Sequence, residues 1–162
     1  MNFIQGYVKI KVIEGRDLVA RDIFTSDPYV KLSIGEHMVK TKVKRNTLNP
    51  VWNEELMLPV PDPLRPLKLF VFDKDFFTAD DEMGDAEIDL RPLVAAAKLN
   101  AEVDFQEGSN IGRVLRTSSN HFVKDSFIKF KDASLVQEIC IKLQNVQKGH
   151  IELEVRWRPR IA

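Results

Sequence analysis

The sequence lacks the features that mark disulfide-rich secreted proteins and dedicated nucleic-acid binders. Its 162 residues include one cysteine, Cys140, so no disulfide can form within the chain. A free thiol in an apolar run is typical of a buried side chain, and we expect a reducing compartment. The 24 basic residues are balanced by 24 acidic ones. This zero net charge argues against nucleic-acid binding, because phosphate contacts need an excess of lysine and arginine.

Long apolar runs are also missing. No run approaches the roughly 20 residues of a membrane-spanning helix, and none near the N-terminus has the length of a signal-peptide core. Position 2 is asparagine and the chain ends in Arg-Ile-Ala, so the myristoylation and prenylation signals are absent. We therefore expect any membrane contact to be reversible, from the cytoplasm, and made by the folded surface.

What the chain has instead is alternation of apolar and polar residues. Five stretches show it: 8–12, 30–34, 39–44, 86–90 and 151–158. Alternation at period two is typical of strands with one buried and one solvated side. A further stretch, Leu67 to Phe72, is apolar on both sides and predicts a central, covered strand.

The predicted fold is therefore all-β, an antiparallel sandwich of about eight strands. Residues 91–99 predict a short helix, because Pro92 suits the first helical position. Residues from about 101 to 133 have weaker periodicity, with one candidate strand between Phe122 and Phe130. We interpret 101–133 as an insertion before the last two strands of a single domain that spans 1–162.

Aspartates gather where two predicted strands meet their loops. Asp22 and Asp27 lie in the first loop, and Asp73, Asp75 and Asp81 in a later one. Residues two apart on a strand share a face, so Asp73 and Asp75 would lie roughly 6.5 Å apart. Both could reach one calcium ion, at Ca–O distances of about 2.3–2.6 Å, and the ion would remove their repulsion. A turn or capping role is the simpler interpretation of any one aspartate, but five together favour calcium.

Two other metal sites do not fit the spacing. An EF-hand loop that starts at Asp73 would need an oxygen ligand, a glycine and a glutamate where the sequence has Phe77, Thr78 and Gly84. Zinc prefers clustered histidine and cysteine ligands, and the three histidines and Cys140 are scattered.

Three motifs resemble the signature of the C2 domain. They are Ser26-Asp27-Pro28-Tyr29-Val30, Asn49-Pro50-Val51-Trp52-Asn53-Glu54, and Asp73-Lys74-Asp75 followed by Gly84-Asp85. The resemblance implies an eight-stranded antiparallel sandwich with calcium-binding loops at one end. Because the first strand begins almost at the N-terminus, it implies the permuted type II topology, in which the C-terminal strand closes the sheet. It also implies that the five aspartates are first-loop and third-loop calcium ligands.

Two surfaces are predicted to bind lipid. Apolar side chains at the loop tips beside the metal would enter the bilayer interface: Ile23, Phe24, Phe76 and Phe77. A basic strand face would bind phosphoinositide headgroups, as the family resemblance implies: Tyr29, Lys31, Lys40, Lys42 and Lys44. Two simpler interpretations stay open: one residue of each loop pair folds back into the core, and the basic strand face is a plain solvated one.

A narrower resemblance is to small plant single-C2-domain proteins that recruit abscisic-acid receptors to membranes. It rests on chain size and on Arg21-Asp22, Lys40-Thr41-Lys42-Val43, Met83-Gly84-Asp85-Ala86-Glu87 and Gly149-His150-Ile151-Glu152. It implies an adaptor that binds phosphatidylserine and phosphoinositides with calcium and recruits such a receptor. Because the chain is short for a catalytic domain as well and shows no coiled-coil pattern, we expect a non-enzymatic monomer. The resemblance also implies a cytoplasmic protein that associates reversibly with the plasma membrane, and it leaves the nucleus open.

Two alternatives belong to other functional classes. One is a membrane-docked activator of a small GTPase, although the clustered cysteines of a zinc-finger activating domain are absent. The other is a metal-dependent transferase that uses Asp73-Lys74-Asp75 on a nucleotide sugar. The lack of a suitable Gly-rich loop and of a nucleophile beside a base disfavours the transferase.

Overall fold

The computed structural model describes residues 3–161, which form ten strands and one helix. The elements in chain order are β1 (Phe3–Arg16), β2 (Pro28–Ile34), β3 (His37–Lys40), β4 (Val51–Asp62), β5 (Leu67–Asp73), β6 (Asp81–Ile88), α1 (Arg91–Asn100), β7 (Asn110–Val114), β8 (Ser126–Lys131), β9 (Ser134–Lys142) and β10 (His150–Pro159). No helix of this described range is long and apolar enough to cross a membrane.

The strands form two antiparallel sheets. The larger has the order β4-β1-β10-β9-β8-β7, and the smaller has the order β3-β2-β5-β6. The C-terminal strand β10 lies between β1 and β9, with Val8 opposite Trp157. This confirms the antiparallel sandwich and the permuted topology, in which the last strand closes against the first.

The strand count exceeds the predicted eight because two strands lie within residues 101–133. β7 and β8 form a hairpin that extends the larger sheet beyond β9. The candidate strand at 122–130 overlaps β8, whereas β7 has only half-buried and exposed residues and so little alternation. The single domain over 1–162 stays a prediction, since residues 1, 2 and 162 lie outside the described range.

The core lies between the two sheets and is built from the alternating positions. Ile10, Leu32 and Leu153 are fully buried examples from three strands. Helix α1 confirms the predicted helix and buries Leu93, Val94 and Ala96. Cys140 is buried, as expected, and burial raises the pKa of its thiol.

Strand β5 is central in the smaller sheet, between β2 and β6. Its inward residues Leu67, Leu69 and Val71 are fully buried. The outward rings of Phe70 and Phe72 are only half-buried and stack on each other at 6.5 Å between centroids. The outer side of this strand is therefore less covered than its apolar sequence predicts.

Candidate metal centre and loop surface

Strand register brings the predicted aspartates to one end of the smaller sheet. Pro28 at the start of β2 pairs with Asp73 at the end of β5, and Asp73 pairs with Asp81 at the start of β6. Asp27 directly precedes Pro28. The antiparallel ladder therefore places the first and third acidic loops side by side, although they are about 50 residues apart in sequence.

Three of the carboxylates converge. One oxygen from each of Asp22, Asp27 and Asp73 lies within 4.8 Å of the others. Asp22 is exposed, Asp27 is half-buried, and Asp73 is 2% exposed. Backbone contacts hold the arrangement: the Asp27 N–H donates to Asp73 Oδ1 at 2.7 Å, and the Asn46 N–H donates to Asp27 Oδ1 at 2.7 Å.

The electrostatics of this cluster are unfavourable for the protein alone. Burial raises the pKa of Asp73, and repulsion from Asp22, Asp27 and Asp81 raises it further, against the lowering effect of the Asp27 N–H. Within residues 3–161, no basic side chain forms an ion pair with Asp22, Asp27 or Asp73. The cluster thus concentrates negative charge that a cation would compensate.

The donor set fits calcium. All three converging groups supply carboxylate oxygens, which hard divalent cations prefer, and they lie on irregular loops and strand ends that calcium tolerates better than magnesium. The uncompensated charge at the buried Asp73 is the observation on which the fit rests. Asp22, Asp27 and Asp73 are therefore the residues best placed to hold the ion.

Asp75 is placed differently from its sequence neighbour Asp73. Strand β5 ends at Asp73, so the strand geometry that predicted a shared face does not extend to Asp75. Its carboxylate accepts hydrogen bonds from the Phe77 N–H at 3.0 Å and the Thr78 hydroxyl at 2.7 Å, and these contacts lower its pKa. Its role as a calcium ligand stays a prediction, because ligation would require it to exchange these loop contacts.

Asp80 braces the third loop, a role that sequence reasoning missed. Its Oδ1 accepts the Asp75 N–H at 2.9 Å, and its Oδ2 accepts the Tyr29 hydroxyl. Burial raises the pKa of Tyr29 to about 12, with a further contribution from the hydrogen bond to Asp80. The neighbouring Asp81 is exposed and raises the pKa of Asp73, so its predicted role as a ligand stays open. Only the fold distinguishes these two adjacent aspartates.

The apolar loop tips are exposed. Ile23 and Phe24 are each 87% exposed, Phe76 is 59% exposed and Phe77 is 97% exposed. None of the four folds back into the core. The Arg45 guanidinium lies over the Phe76 ring at 4.8 Å, a contact between the second and third loops of this end. The tips flank the carboxylates on both sides.

The basic surface is a strand followed by a loop. β3 ends at Lys40, opposite Lys31 of β2, and Lys42 and Lys44 lie beyond it. The segment still follows β2, since the Lys44 N–H donates to the Pro28 carbonyl at 2.9 Å. The Lys40 ammonium lies 5.9 Å from the Tyr29 ring centroid. The predicted basic residues thus lie on β2 and in the segment beside it, next to the acidic loops.

Known proteins share this fold and much of this sequence. The family model for the C2 domain matches residues 6–105. The chain is 40% identical over 157 residues to Protein C2-DOMAIN ABA-RELATED 3 of Arabidopsis thaliana, a match that covers 97% of this chain and 93% of that protein. It is 38% identical over 157 residues to GTPase activating protein 1 of Oryza sativa, and this match covers 97% of this chain and 94% of the rice protein.

A third relative is longer than this chain. The Probable ADP-ribosylation factor GTPase-activating protein AGD13 of Arabidopsis thaliana is 44% identical over 154 residues, which cover 95% of this chain and 46% of that protein. This chain therefore spans about half the length of that relative. Among solved structures, the paired C2 domains of Extended-Synaptotagmin 2 with calcium bound match with a TM-score of 0.65 at 22% identity, over 97% of this chain and 47% of that one.

Proposed function

This chain belongs to the C2 domain family, and we propose that it docks on acidic membranes when calcium occupies its aspartate cluster. One observation carries the proposal: the carboxylates of Asp22, Asp27 and Asp73 converge without a basic partner among residues 3–161, between apolar loop tips that are exposed. The proposed cation site and the proposed membrane contact would thus lie at the same end of the molecule.

Asp22, Asp27 and Asp73 would hold the ion, and Asp75 and Asp81 are proposed as further ligands. Bound calcium supplies positive charge and open coordination positions for lipid phosphate oxygens. Without bound calcium, the carboxylates of the aspartate cluster would repel the anionic headgroups of the membrane. Phe24 and Phe77 would then enter the interfacial region of the bilayer, since their rings are already exposed and nothing in the core must unfold.

The basic residues beside β2 would strengthen this docking. Near an anionic surface each lysine contributes about 1 kcal/mol, and the contribution is screened within a Debye length. Lys31, Lys40, Lys42 and Lys44 therefore extend the contact from the loop tips along the side of the smaller sheet. We propose phosphatidylserine and phosphoinositides as the lipids.

We further propose that the docked domain recruits a protein by binding and not by catalysis. Protein C2-DOMAIN ABA-RELATED 3 aligns with this chain over 93% of its own length, and its name supports a role connected with abscisic acid. An abscisic-acid receptor is therefore the proposed partner. The proposed location is the cytoplasm with reversible attachment to the plasma membrane, and the nucleus is a second location to examine. The domain would act as a monomer.

A second candidate function is activation of a small GTPase. It is favoured by the rice protein named GTPase activating protein 1, of which 94% aligns with this chain. A protein made of little more than this domain thus carries that name. Phosphate release from a GTP-loaded small GTPase, measured with and without this protein on vesicles, would separate the two candidates: only an activator accelerates it.

The test of membrane docking is co-sedimentation with phosphatidylserine vesicles in calcium or in a chelator. We expect the wild type to pellet in calcium and to stay in solution in the chelator. Asp27→Asn/Asp73→Asn keeps both acceptor oxygens for the Asp27 and Asn46 N–H groups but removes two charges, and we expect it to stay in solution in both conditions.

The matched control removes two charges elsewhere. Asp104→Asn/Asp132→Asn changes exposed residues outside the acidic loops and should pellet like the wild type. Equal pelleting of the wild type in calcium and in chelator would contradict the calcium dependence and assign binding to the lysines. No pelleting in either condition would contradict membrane docking itself.

A further inference from the structure

Gln137 occupies a position where the fold calls for an apolar side chain. It lies on β9 on the same face as Leu135 and Ile139, because residues two apart on a strand point the same way. Both neighbours belong to the core, and Gln137 itself is 1% exposed. A polar amide has therefore been placed on the inward side of the sandwich.

The amide is held in one orientation. Gln137 Nε2 donates to the Ser126 hydroxyl oxygen at 3.0 Å, and that hydroxyl donates its own proton to the Glu138 carbonyl at 2.7 Å. Since the Ser126 proton is already used, its oxygen can only accept, and Nε2 must face it. Gln137 Oε1 consequently points away from Ser126 and has no hydrogen-bond partner among residues 3–161. Buried acceptors are seldom left unpaired, because no new hydrogen bond compensates for the free energy lost when water is removed.

A cleft of about 660 Å³ opens beside this amide. It lies between the edge strand β6, the start of α1, the β4–β5 turn and the β7–β8 hairpin, and Gln137 is one of its lining residues. The volume falls within the range of about 300–1,000 Å³ that is typical of small-molecule sites. Its apolar lining comes from Leu64, Pro66, Leu90, Pro92, Val114 and Phe122.

The charged groups at the cleft leave no strong net sign. Asp85, Glu87 and Asp89 face Arg65 and Arg91. The Arg91 guanidinium is paired with Asp89 at 2.8 Å, and Asp85 accepts a hydrogen bond from Asn145 at 2.9 Å. Arg65 and Glu87 form no ion pair among residues 3–161, so three acidic and two basic groups leave a balance of one negative charge at the cleft. In the interior, Gln137 Oε1 is the buried acceptor without a hydrogen-bond partner.

We propose that this cleft binds a small, uncharged, mostly apolar ligand that donates one hydrogen bond, from a hydroxyl or an N–H group, to Gln137 Oε1. The site is separate from the aspartate cluster. β5 runs from Leu67, beside the cleft, to Asp73 in the cluster, and β6 runs back from Asp81 to Ile88. Ligand binding here would thus not compete with the acidic loops for the same residues.

The probes are a matched pair, 4-propylphenol and 4-propyltoluene, in which a methyl group replaces the hydroxyl donor. The ¹⁵N-labelled full chain is titrated with each, and the Gln137 side-chain amide and neighbouring backbone signals are followed by NMR. We expect saturable shifts with 4-propylphenol and binding of 4-propyltoluene about tenfold weaker, as the loss of one buried hydrogen bond implies.

Two variants test the residue itself. Gln137→Leu keeps the size of the side chain and removes the acceptor, and it should weaken 4-propylphenol binding about tenfold while leaving 4-propyltoluene unchanged or tighter. Gln147→Leu, an exposed glutamine outside the cleft, is the control and should bind like the wild type. If Gln137→Leu does not fold, Val114→Phe, which fills the cleft from β7, should abolish binding.

Three results would overturn the proposal. Absence of saturable shifts at the solubility limit would mean that the buried acceptor cannot be reached from the cleft. Equal affinity for both probes would remove the role of the donor. Unchanged 4-propylphenol binding by Gln137→Leu, or by Val114→Phe, would place the probe elsewhere on the protein.

Discussion

Replacing Asp73 by asparagine should stabilise this protein without calcium and destabilise it relative to the wild type with calcium. The substitution keeps the shape and the Oδ1 atom that accepts the Asp27 N–H at 2.7 Å. It removes a charge that is 2% exposed and lies beside two other carboxylates. The Asp73 charge should therefore lower the stability of the cation-free protein, and a bound cation should reverse that effect.

The magnitude follows from the distances. At 4.8 Å, two like charges repel by about 3.5 kcal/mol at an effective dielectric constant of about 20, and by about 0.9 kcal/mol in bulk water. Asp22 is exposed and Asp27 half-buried, so each repels Asp73 by an amount near the lower limit, and the two repulsions together reach about 2–3 kcal/mol. Asp73→Asn also weakens the charge-assisted hydrogen bond from the Asp27 N–H, and this loss offsets about 1 kcal/mol of the relieved repulsion. A net gain of about 1–2 kcal/mol for Asp73→Asn remains, or about 2–8 °C in Tm for a chain of this size.

The assay is thermal or urea unfolding of both proteins in chelator and in a calcium series. If the cluster binds calcium as proposed, the free energy of unfolding of the wild type should rise with the logarithm of the calcium concentration above Kd, and that of the variant should rise much less. The two stability curves should therefore cross as calcium rises. A less stable variant in chelator would refute the electrostatic reasoning, and an equal calcium-induced gain would refute the assignment of Asp73 as a ligand.

The pH dependence provides a check with a defined sign. Because the pKa of Asp73 is raised above its ordinary value of 3.8, the folded protein holds a proton that the unfolded chain has released. In chelator, the wild type should lose stability as the pH rises from about 3.8 through the raised pKa. The advantage of Asp73→Asn should grow over that window and then stay constant. Carboxylates with lowered pKa, such as Asp89, are common to both proteins and cancel in the difference.

Three further predictions concern other residues. Gly84→Ala should lower the free energy of unfolding in urea by about 2–4 kcal/mol, because the φ of Gly84 is +106° and an added Cβ would lie 2.6 Å from the Val146 side chain. Gly35→Ala is the control and should lower it less, because the space around Gly35 is open. Ultraviolet titration should show the Tyr29 phenol ionising near pH 12, and earlier in Asp80→Asn. Phe77→Ser should leave stability unchanged, since the ring is 97% exposed, but weaken vesicle binding by about tenfold to a hundredfold. Unchanged vesicle binding would exclude ring insertion.

The sequence by itself determined the class of fold and the composition of the candidate site. Alternation in segments such as 8–12 and 151–158 reflects local burial, which each strand imposes on its own residues whatever its neighbours are. The position of Asp27 before one strand and Asp73 at the end of another was visible for the same reason. The closure of β10 on β1 was predicted from the resemblance to the C2 family, together with the position of the first strand near the N-terminus.

The tertiary structure alone decided which groups meet. Local patterns do not report pairing, so the register that sets Asp73 beside Asp27 and Asp81, and the burial that raises its pKa, came only with the fold. Asp75 contacts its own loop instead, because nearby backbone N–H groups compete for its carboxylate. In the same way Gln137 is an ordinary polar residue in the sequence. It becomes an unpaired buried acceptor only in the fold, where β6, β7 and the loop that follows β7 line a cleft beside it.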